Sequence, residues 1–565
     1  MTALSSRIAQ FADRWPKSLA LLLGLVSATG FAPLGLWPLT LIAFASWMLL
    51  VAHSQRGRRT LAIGWAFGLG HFALGLNWIA TAFTYQAAMP AWLGWIAVLL
   101  LSFYLAFFPA MAAWGAWMAV KFAVPAKIDV AEHEPPHPPP FLGASLSFTL
   151  AFAALWTLAE WLRSWLFTGF AWNPLSAILV PMGPFALGPT RLVGSYGMSA
   201  FVVLIAGFSL RAALRNFPGW YRALGPSFKD GTFPTIIIGG GLIAAAPFFF
   251  ALSQIGSLGG KAAALSIGKD AVALTLIQPN IGQEDKWEGT KADANFDKLA
   301  RLTVPRDDKP RLILWPEAAI PDYLESGYPS YYYDRSPAGS RARLAQLMDP
   351  GDAMLLGALK LEFDREGNAV GARNAVMTVH SDGSLGPRYD KAHLVPFGEY
   401  LPMRSLLSAL GLSRLAPGDL DFWPGPGPRT LDLAHFGRAG LQICYEIIFS
   451  GQVVDRANRP DYIFNPSNDA WFGAWGPPQH LAQAQLRAIE EGLPVLRSTP
   501  TGISAVIDAD GRLLASIPMH QAGRIDMTLP PPHAPTLFAR FGNAMSVGFA
   551  LLLIVLAIAF QRRGR

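Results

Sequence analysis

Cys444 is the only cysteine among 565 residues, and it closes the segment Gly440-Leu-Gln-Ile-Cys-Tyr-Glu446, an apolar run that ends in a polar pair. A lone thiol forms neither an intramolecular disulfide nor a multi-cysteine metal site. It serves as a small buried hydrophobe or, if a neighbour removes its proton, as a nucleophile. Two other segments carry groups able to help, Leu312-Ile-Leu-Trp-Pro-Glu317 and Tyr389-Asp-Lys391. A free thiol with a pKa of about 8.5 is only a few per cent thiolate at neutral pH. Glu317 would take that proton as general base. Lys391 would lower the thiol pKa and stabilise the oxyanion formed when sulfur attacks a carbonyl. Such a site transfers acyl groups without metal, cofactor or histidine. Taken singly, Glu317 could equally cap the turn after Trp315-Pro316, and Lys391 could be a surface residue.

The elements that must position these groups are short β-rich runs ending in polar turns. Residues 273–277 lead into Gln-Pro-Asn, 312–315 into Pro-Glu, 440–443 into Cys-Tyr-Glu and 462–464 into Asn-Pro-Ser-Asn-Asp. The runs 374–380 and 504–507 precede Ser-Asp-Gly-Ser and Asp-Ala-Asp-Gly, which read as hairpin turns. Residues 478–491 carry apolar side chains at helical spacing, Leu481, Ala484, Ala488 and Ile489. Strands alternating with helices predict an α/β sandwich, whose reactive groups collect at the carboxyl ends of strands. Glu317 and Cys444 fall at such ends.

The rest of the chain is of another kind. With 52% hydrophobic and 15% charged residues, and a mean hydropathy of +0.32, the protein is too apolar for an ordinary soluble chain. In windows of about 20 residues, eight candidate spans appear. They lie at 18–34, 36–52, 61–83, 91–120, 146–167, 198–214, 235–252 and 544–560, with Pro109 and Pro125 interrupting the region of the fourth and fifth. The first is no cleaved signal, because a second span follows after a short Pro-Leu-Gly turn. This predicts a polytopic α-helical membrane domain over 1–255, a mixed domain over 262–535, and a last helix with a basic tail over 540–565.

The net charge of +7 sits largely in clusters beside the spans, among them Arg56, Arg58 and Arg59, Arg211 and Arg215, and Arg562, Arg563 and Arg565. No basic run is interleaved with aromatics, which argues against nucleic acid as a partner. With eight spans every cluster falls on one face, so both termini are expected in the cytoplasm and the mixed domain outside it. In that oxidising compartment a single unpaired thiol is a liability unless it is used. Glu160 and Arg163, three apart near the end of the fifth span, are expected to form an interfacial salt bridge.

Trp315-Pro-Glu317, Asp390-Lys391 and Cys444-Tyr-Glu446 resemble the Glu-Lys-Cys motifs of the nitrilase superfamily, a four-layer αββα sandwich. More narrowly, the chain resembles the apolipoprotein N-acyltransferases of the bacterial inner membrane. The matching segments are Gln278-Pro-Asn-Ile281 with Trp287, Trp315-Pro-Glu-Ala-Ala-Ile-Pro321 and Lys391-Ala-His-Leu-Val-Pro-Phe-Gly-Glu-Tyr400. Ile443-Cys-Tyr-Glu-Ile447 and Ser467-Asn-Asp-Ala-Trp-Phe-Gly473 complete them. In Arg497-Ser-Thr-Pro-Thr-Gly502 an Asn-Asn pair of the family is replaced by Pro-Thr. The resemblance implies that Cys444 takes an acyl chain from the sn-1 ester of a phospholipid, phosphatidylethanolamine being the expected donor. The chain then passes to the α-amino group of an apolipoprotein's N-terminal diacylglyceryl-cysteine. It makes Glu317 the base, Lys391 the oxyanion stabiliser and Cys444 the nucleophile. Glu399 would support Lys391, Tyr445 and Glu446 would flank the thiol, and Trp287 would belong to a mobile entrance loop.

Two lipid substrates require a site at the bilayer surface, since each buried CH₂ is worth about 0.8 kcal/mol. Residues 401–415, rich in leucine, read either as a lid dipping into that surface or as an internally packed helix. The tyrosines at 328, 331, 332 and 333 read as interfacial or as an ordinary loop. Two rival readings use the same residues: a membrane-anchored amidase or nitrilase, and a non-catalytic channel or scaffold. Seven spans before the domain are excessive for tethering alone, and the intact Glu317, Lys391 and Cys444 argue against a scaffold.

Overall fold

The computed structural model describes residues 14–85, 90–121, 145–216, 272–286, 288–409, 415 and 420–563. The chain divides into two compact units, one comprising Met1–Asn77, Ile96–Gly259 and Phe541–Arg565, the other Trp78–Trp95 and Gly260–Arg540.

The first unit is helical. Among the described residues, Leu93–Ala119, Thr190–Ala213 and Ala544–Arg562 are long and apolar enough to cross a membrane. Pro16–Ala28 and Trp37–Ala52 are shorter apolar helices occupying the first two expected spans. The third expected span, 61–83, is not one helix: Gly57–Gly75 ends with its cap at Leu76. The span Leu93–Ala119 is interrupted at Ala106 into two helical segments, Leu93–Leu105 and Phe107–Lys121. The break falls where Pro109 has no N–H to offer the Leu105 carbonyl and its ring would press on it. The expected span at 235–252 lies outside the described residues. Close helix contact rests on small residues: a Cβ on Gly24 would stand 2.0 Å from the Phe67 carbonyl oxygen, and one on Gly70 2.2 Å from that of Leu21.

Glu160 and Arg163 do not sit exposed at an interface, as the sequence suggested. Both are buried. Glu160 Oε1 accepts from Trp156 Nε1 (3.0 Å) and the Leu175 amide (2.7 Å). Arg163 donates to the carbonyls of Phe170, Trp172 and Asn173. The pair therefore satisfies the irregular chain that follows helix Leu146–Arg163, whose polar backbone has no ladder of its own.

The second unit is built from two six-stranded sheets. The first contains β1 (Ala273–Gln278), β2 (Arg311–Leu314), β3 (Ala353–Phe363), β4 (Ala369–His380), β5 (Tyr389–Asp390) and β12 (Gly523–Thr528), in the order β12-β1-β2-β3-β4-β5. The second contains β6 (Thr430–Asp432), β7 (Arg438–Leu441), β8 (Tyr462–Pro466), β9 (Val495–Ser498), β10 (Ser504–Ile507) and β11 (Leu513–Ile517), in chain order across the sheet. Each has a parallel centre, β1-β2-β3 and β7-β8-β9, flanked by antiparallel strands. The sheets pack face to face, and Ser498 Oγ bonds the Ile277 carbonyl across them at 2.7 Å. Helices Ala292–Thr303 and Pro337–Ala345 cover the outer face of the first sheet, where Phe296, Leu299 and Leu344 pack on Ile313, Met354 and Met377. Helix Gly476–Glu491 packs against the second. The result is the αββα sandwich expected, and both expected hairpin turns are present, with Gly383 and Gly511 in the left-handed conformation they require.

The tyrosine-rich loop is a packed element. Tyr328 stacks on Tyr333 with ring centroids 5.5 Å apart, and Tyr332 Oη accepts from the Ala369 amide.

Candidate active site

Strand β2 is buried throughout and is followed by Trp315, whose indole is fully buried and donates to Thr303 Oγ1 at 3.0 Å. The chain then turns sharply, and Ala318 adopts φ +45°. Strand β3 holds this turn by three backbone bonds, Trp315 N to Leu355 O, Gly357 N to Pro316 O and Ala319 N to Gly357 O. Only glycine fits at 357, because a Cβ there would lie 2.3 Å from the Ala318 nitrogen and 2.6 Å from Glu317 Cα. The outcome is a buried Glu317 carboxylate fixed by backbone rather than by side-chain packing.

Lys391 follows β5, and its amide is anchored to the Asn374 carbonyl of β4 at 2.8 Å. Its ammonium donates to Glu399 Oε1 at 2.9 Å and stands 3.6 Å from Glu317 Oε1. The Asn374 side-chain amide bridges the two carboxylates, donating to Glu317 Oε1 (2.6 Å) and Glu399 Oε1 (3.1 Å). Glu399 Oε2 accepts from the Val395 amide. Burial opposes the Lys391 charge, but Glu399 and Glu317 outweigh it and hold the pKa above the usual lysine value. Glu317 Oε2 has no hydrogen-bond partner among the described residues. One acceptor of the carboxylate is thus left for a proton.

Cys444 follows β7 and opens a short 3₁₀ turn, Cys444–Ile448, with φ +49°. Glu446 staples this turn in place: its carboxylate accepts from the Ile443 amide (2.7 Å), the Ala392 amide (2.7 Å), the His393 amide (3.0 Å) and Tyr389 Oη (2.9 Å). The turn bearing the thiol is thereby bonded to the turn bearing Lys391. Tyr445 packs against His393 and Phe449. Burial, then Glu317, push the Cys444 thiol well above its ordinary pKa, while Lys391 and the Asn468 amide pull it down. Lys391 acts in the direction expected from the sequence, yet burial wins. The resting sulfur is a neutral thiol that needs a base at the moment of attack.

Two family profiles match the chain: the apolipoprotein N-acyltransferase N-terminal domain over residues 23–208 and carbon-nitrogen hydrolase over 273–531. The apolipoprotein N-acyltransferase of Rhodopseudomonas palustris is 33% identical over 566 residues, covering 97% of this chain and 96% of that one. That of Brucella melitensis is 35% identical, covering 84% and 80%. The chain belongs to the apolipoprotein N-acyltransferase family. The solved structure of Saccharomyces cerevisiae Nit3, of the nitrilase superfamily, aligns with a TM-score of 0.32 at 20% identity, covering 48% of this chain and 93% of that one.

Of the residues singled out in the sequence, Glu317, Lys391, Glu399, Cys444, Tyr445 and Glu446 come together in this acyltransferase, and Trp287 lies outside the described residues. Sequence reasoning missed four neighbours. Asn374 lies inside a strand where nothing local marks it. Lys286 is buried and donates from Nζ to the Glu317 carbonyl at 2.8 Å. Burial lowers its pKa to about 8, against the opposing pull of Glu317 and Cys444. His480 reaches the Cys444 carbonyl, and Gln283 accepts from the Asn468 side chain. Only His480 carried a signal, a polar residue inside the helical pattern of Leu481, Ala484 and Ala488; Gln283 and Lys286 sit in a short polar helix that gives none.

Proposed function

We propose that this acyltransferase moves the sn-1 acyl chain of a phospholipid, with phosphatidylethanolamine as the expected donor, to the α-amino group of a diacylglyceryl-cysteine at an apolipoprotein N-terminus. The carrying observation is the convergence of the neutral Cys444 thiol with a charged Lys391 and a Glu317 oxygen that lacks a partner among the described residues.

Glu317 takes the thiol proton as Sγ adds to the ester carbonyl. Lys391 stabilises the oxyanion so formed. The intermediate collapses by breaking the bond to glycerol oxygen, which receives the proton from Glu317, and lysophospholipid leaves. The acceptor amine then adds to the thioester and passes a proton to Glu317. Collapse expels sulfur, which recovers the proton, and the acyl chain is left as an amide. Glu399 and Asn374 hold Lys391 and Glu317 at the separation this exchange needs.

The domains proposed are 1–255 and 540–565 in the membrane and 262–535 for catalysis. The catalytic domain lies in the periplasm and both termini in the cytoplasm. The exposed side chains of Met403 and Leu406, the latter on helix Arg404–Ala409, support a lipid-facing lid.

Labelled phosphatidylethanolamine, with and without a diacylated lipopeptide, tests the reading. Phospholipid alone leaves Cys444 heavier by one acyl chain, removable by neutral hydroxylamine. Adding lipopeptide then discharges it as an amide. Release of free fatty acid without an amide product would make the enzyme a hydrolase instead. A reporter fused after residue 300 is active only outside the cytoplasm, and one fused after Arg565 only inside.

A further inference from the structure

Beneath the nucleophile lies a polar cluster with no part in the proton transfers above. His480, in the first turns of helix Gly476–Glu491, is fully buried with Asp469 and Arg497 beside it. Its Nε2 is 3.1 Å from the Cys444 carbonyl oxygen. Nδ1 is 3.0 Å from Asp469 Oδ1 and 2.9 Å from Arg497 Nη2, and that same Nη2 is 2.6 Å from each Asp469 oxygen. Phe472 closes the ring's edge at a centroid distance of 5.4 Å.

The protonation state follows from the partners. A carbonyl only accepts, so Nε2 carries a hydrogen. Burial and Arg497 hold the His480 pKa below its usual value, so the ring is neutral and Nδ1 accepts from Arg497. Arg497 thus fixes the tautomer that leaves Nε2–H aimed at the Cys444 carbonyl.

That carbonyl belongs to a residue in an uncommon conformation. At φ +49° a side chain with a Cβ is strained, and the left-handed form persists only where its surroundings hold it. We propose that His480 is a positioning residue for the nucleophile: by binding the Cys444 carbonyl it holds the elbow on which Sγ is presented. Because the peptide is planar and trans, the same bond sets the direction of the Tyr445 N–H, antiparallel to that carbonyl. The proposal rests on Cys444 being the acyl acceptor.

The test compares three substitutions in the full-length enzyme. His480→Gln can place an amide N–H near the Nε2 position, His480→Asn reaches only toward Asp469 and Arg497, and His480→Leu has no donor. Single-turnover acylation of Cys444 by phosphatidylethanolamine should slow by about 10- to 100-fold in the Leu and Asn variants, with KM for phospholipid little changed. The Gln variant should stay within about fivefold of the parent, since the donor is restored. Alkylation of Cys444 by iodoacetamide, which needs no lipid, should follow the same order. Acylation at the parental rate in the Leu or Asn variant would overturn the proposal. So would a Gln variant as slow as Asn, and this pair decides the matter if Leu does not fold. Cys444→Ser, assayed alongside, separates the two readings. Turnover in that variant removes the nucleophile itself, whereas the alkylation order still reports on the elbow.

Discussion

Glu317 and Lys391 act on the Cys444 thiol and are bonded by Asn374 and Glu399; behind the Cys444 carbonyl lie His480, Asp469 and Arg497. Both groups are buried, and both pair carboxylate with cation, yet their bonding differs. In the first, Glu317 Oε2 has no partner among the described residues, and Oε1 shares the Asn374 amide with Glu399. In the second, both Asp469 oxygens are engaged by Arg497. A buried carboxylate with an uncommitted oxygen is costly to keep, and it is the one that can receive a proton. A carboxylate bonded at both oxygens is held ionised: burial opposes this, but Arg497 lowers its pKa. The two clusters divide reaction from support by how completely their acceptors are used.

Substitutions should separate the clusters in that order. Cys444→Ser removes the thiol and should abolish thioester formation, because an alkoxide is far harder to form; the measure is the acyl mass increase on the protein. Glu317→Gln leaves no acceptor for the thiol proton, and single-turnover acylation should fall by about 10²–10⁴-fold. Lys391→Met should cost about 10²–10³-fold in the same assay. Asp469→Asn strands Arg497 without its counter-charge and should destabilise the fold by about 3–5 kcal/mol, read from denaturant unfolding. Acylation per folded molecule should meanwhile drop less than it does in the Glu317 variant.

The smallest effect concerns Lys286. Its charge, facing Glu317 and Cys444, is present below about pH 8 and lost above it. Acylation should therefore decline as pH rises through that value. Lys286→Arg, which stays charged, should remove the decline. An unchanged profile in the Arg variant would take Lys286 out of the site's electrostatics.

What could be read from the sequence was what is local. The apolar runs ending at Trp315 and Ile443 announced strands with a reactive residue at the carboxyl end, and the structure places Glu317 and Cys444 there. Glu399 and Glu446 came only through the resemblance, and most of Glu446's partners lie far away in the chain. Glu446 reaches the Ala392 amide across 54 residues, and Asn468 reaches Gln283 across 185. No periodicity encodes such pairs. His480 sits on a helix whose buried face was legible, but a polar residue on that face gives no sign of what it touches. In the membrane unit, hydropathy found the apolar segments and missed the end of the third helix at Gly75, since composition reports burial and not where a helix stops.

Glu446 has a consequence for how the enzyme gains and loses activity. Its donors come from both sheets: Ile443 follows β7, whereas Tyr389 lies in β5 and Ala392 and His393 follow it. Nucleophile and cation are therefore carried on separate walls of the sandwich and meet only when the walls are docked. A molecule in which one sheet has loosened keeps its chain, its secondary structure and its thiol, yet has no catalyst. Reactivity of Cys444 is then a gauge of tertiary assembly, and under mild denaturant it should vanish before the strands themselves melt.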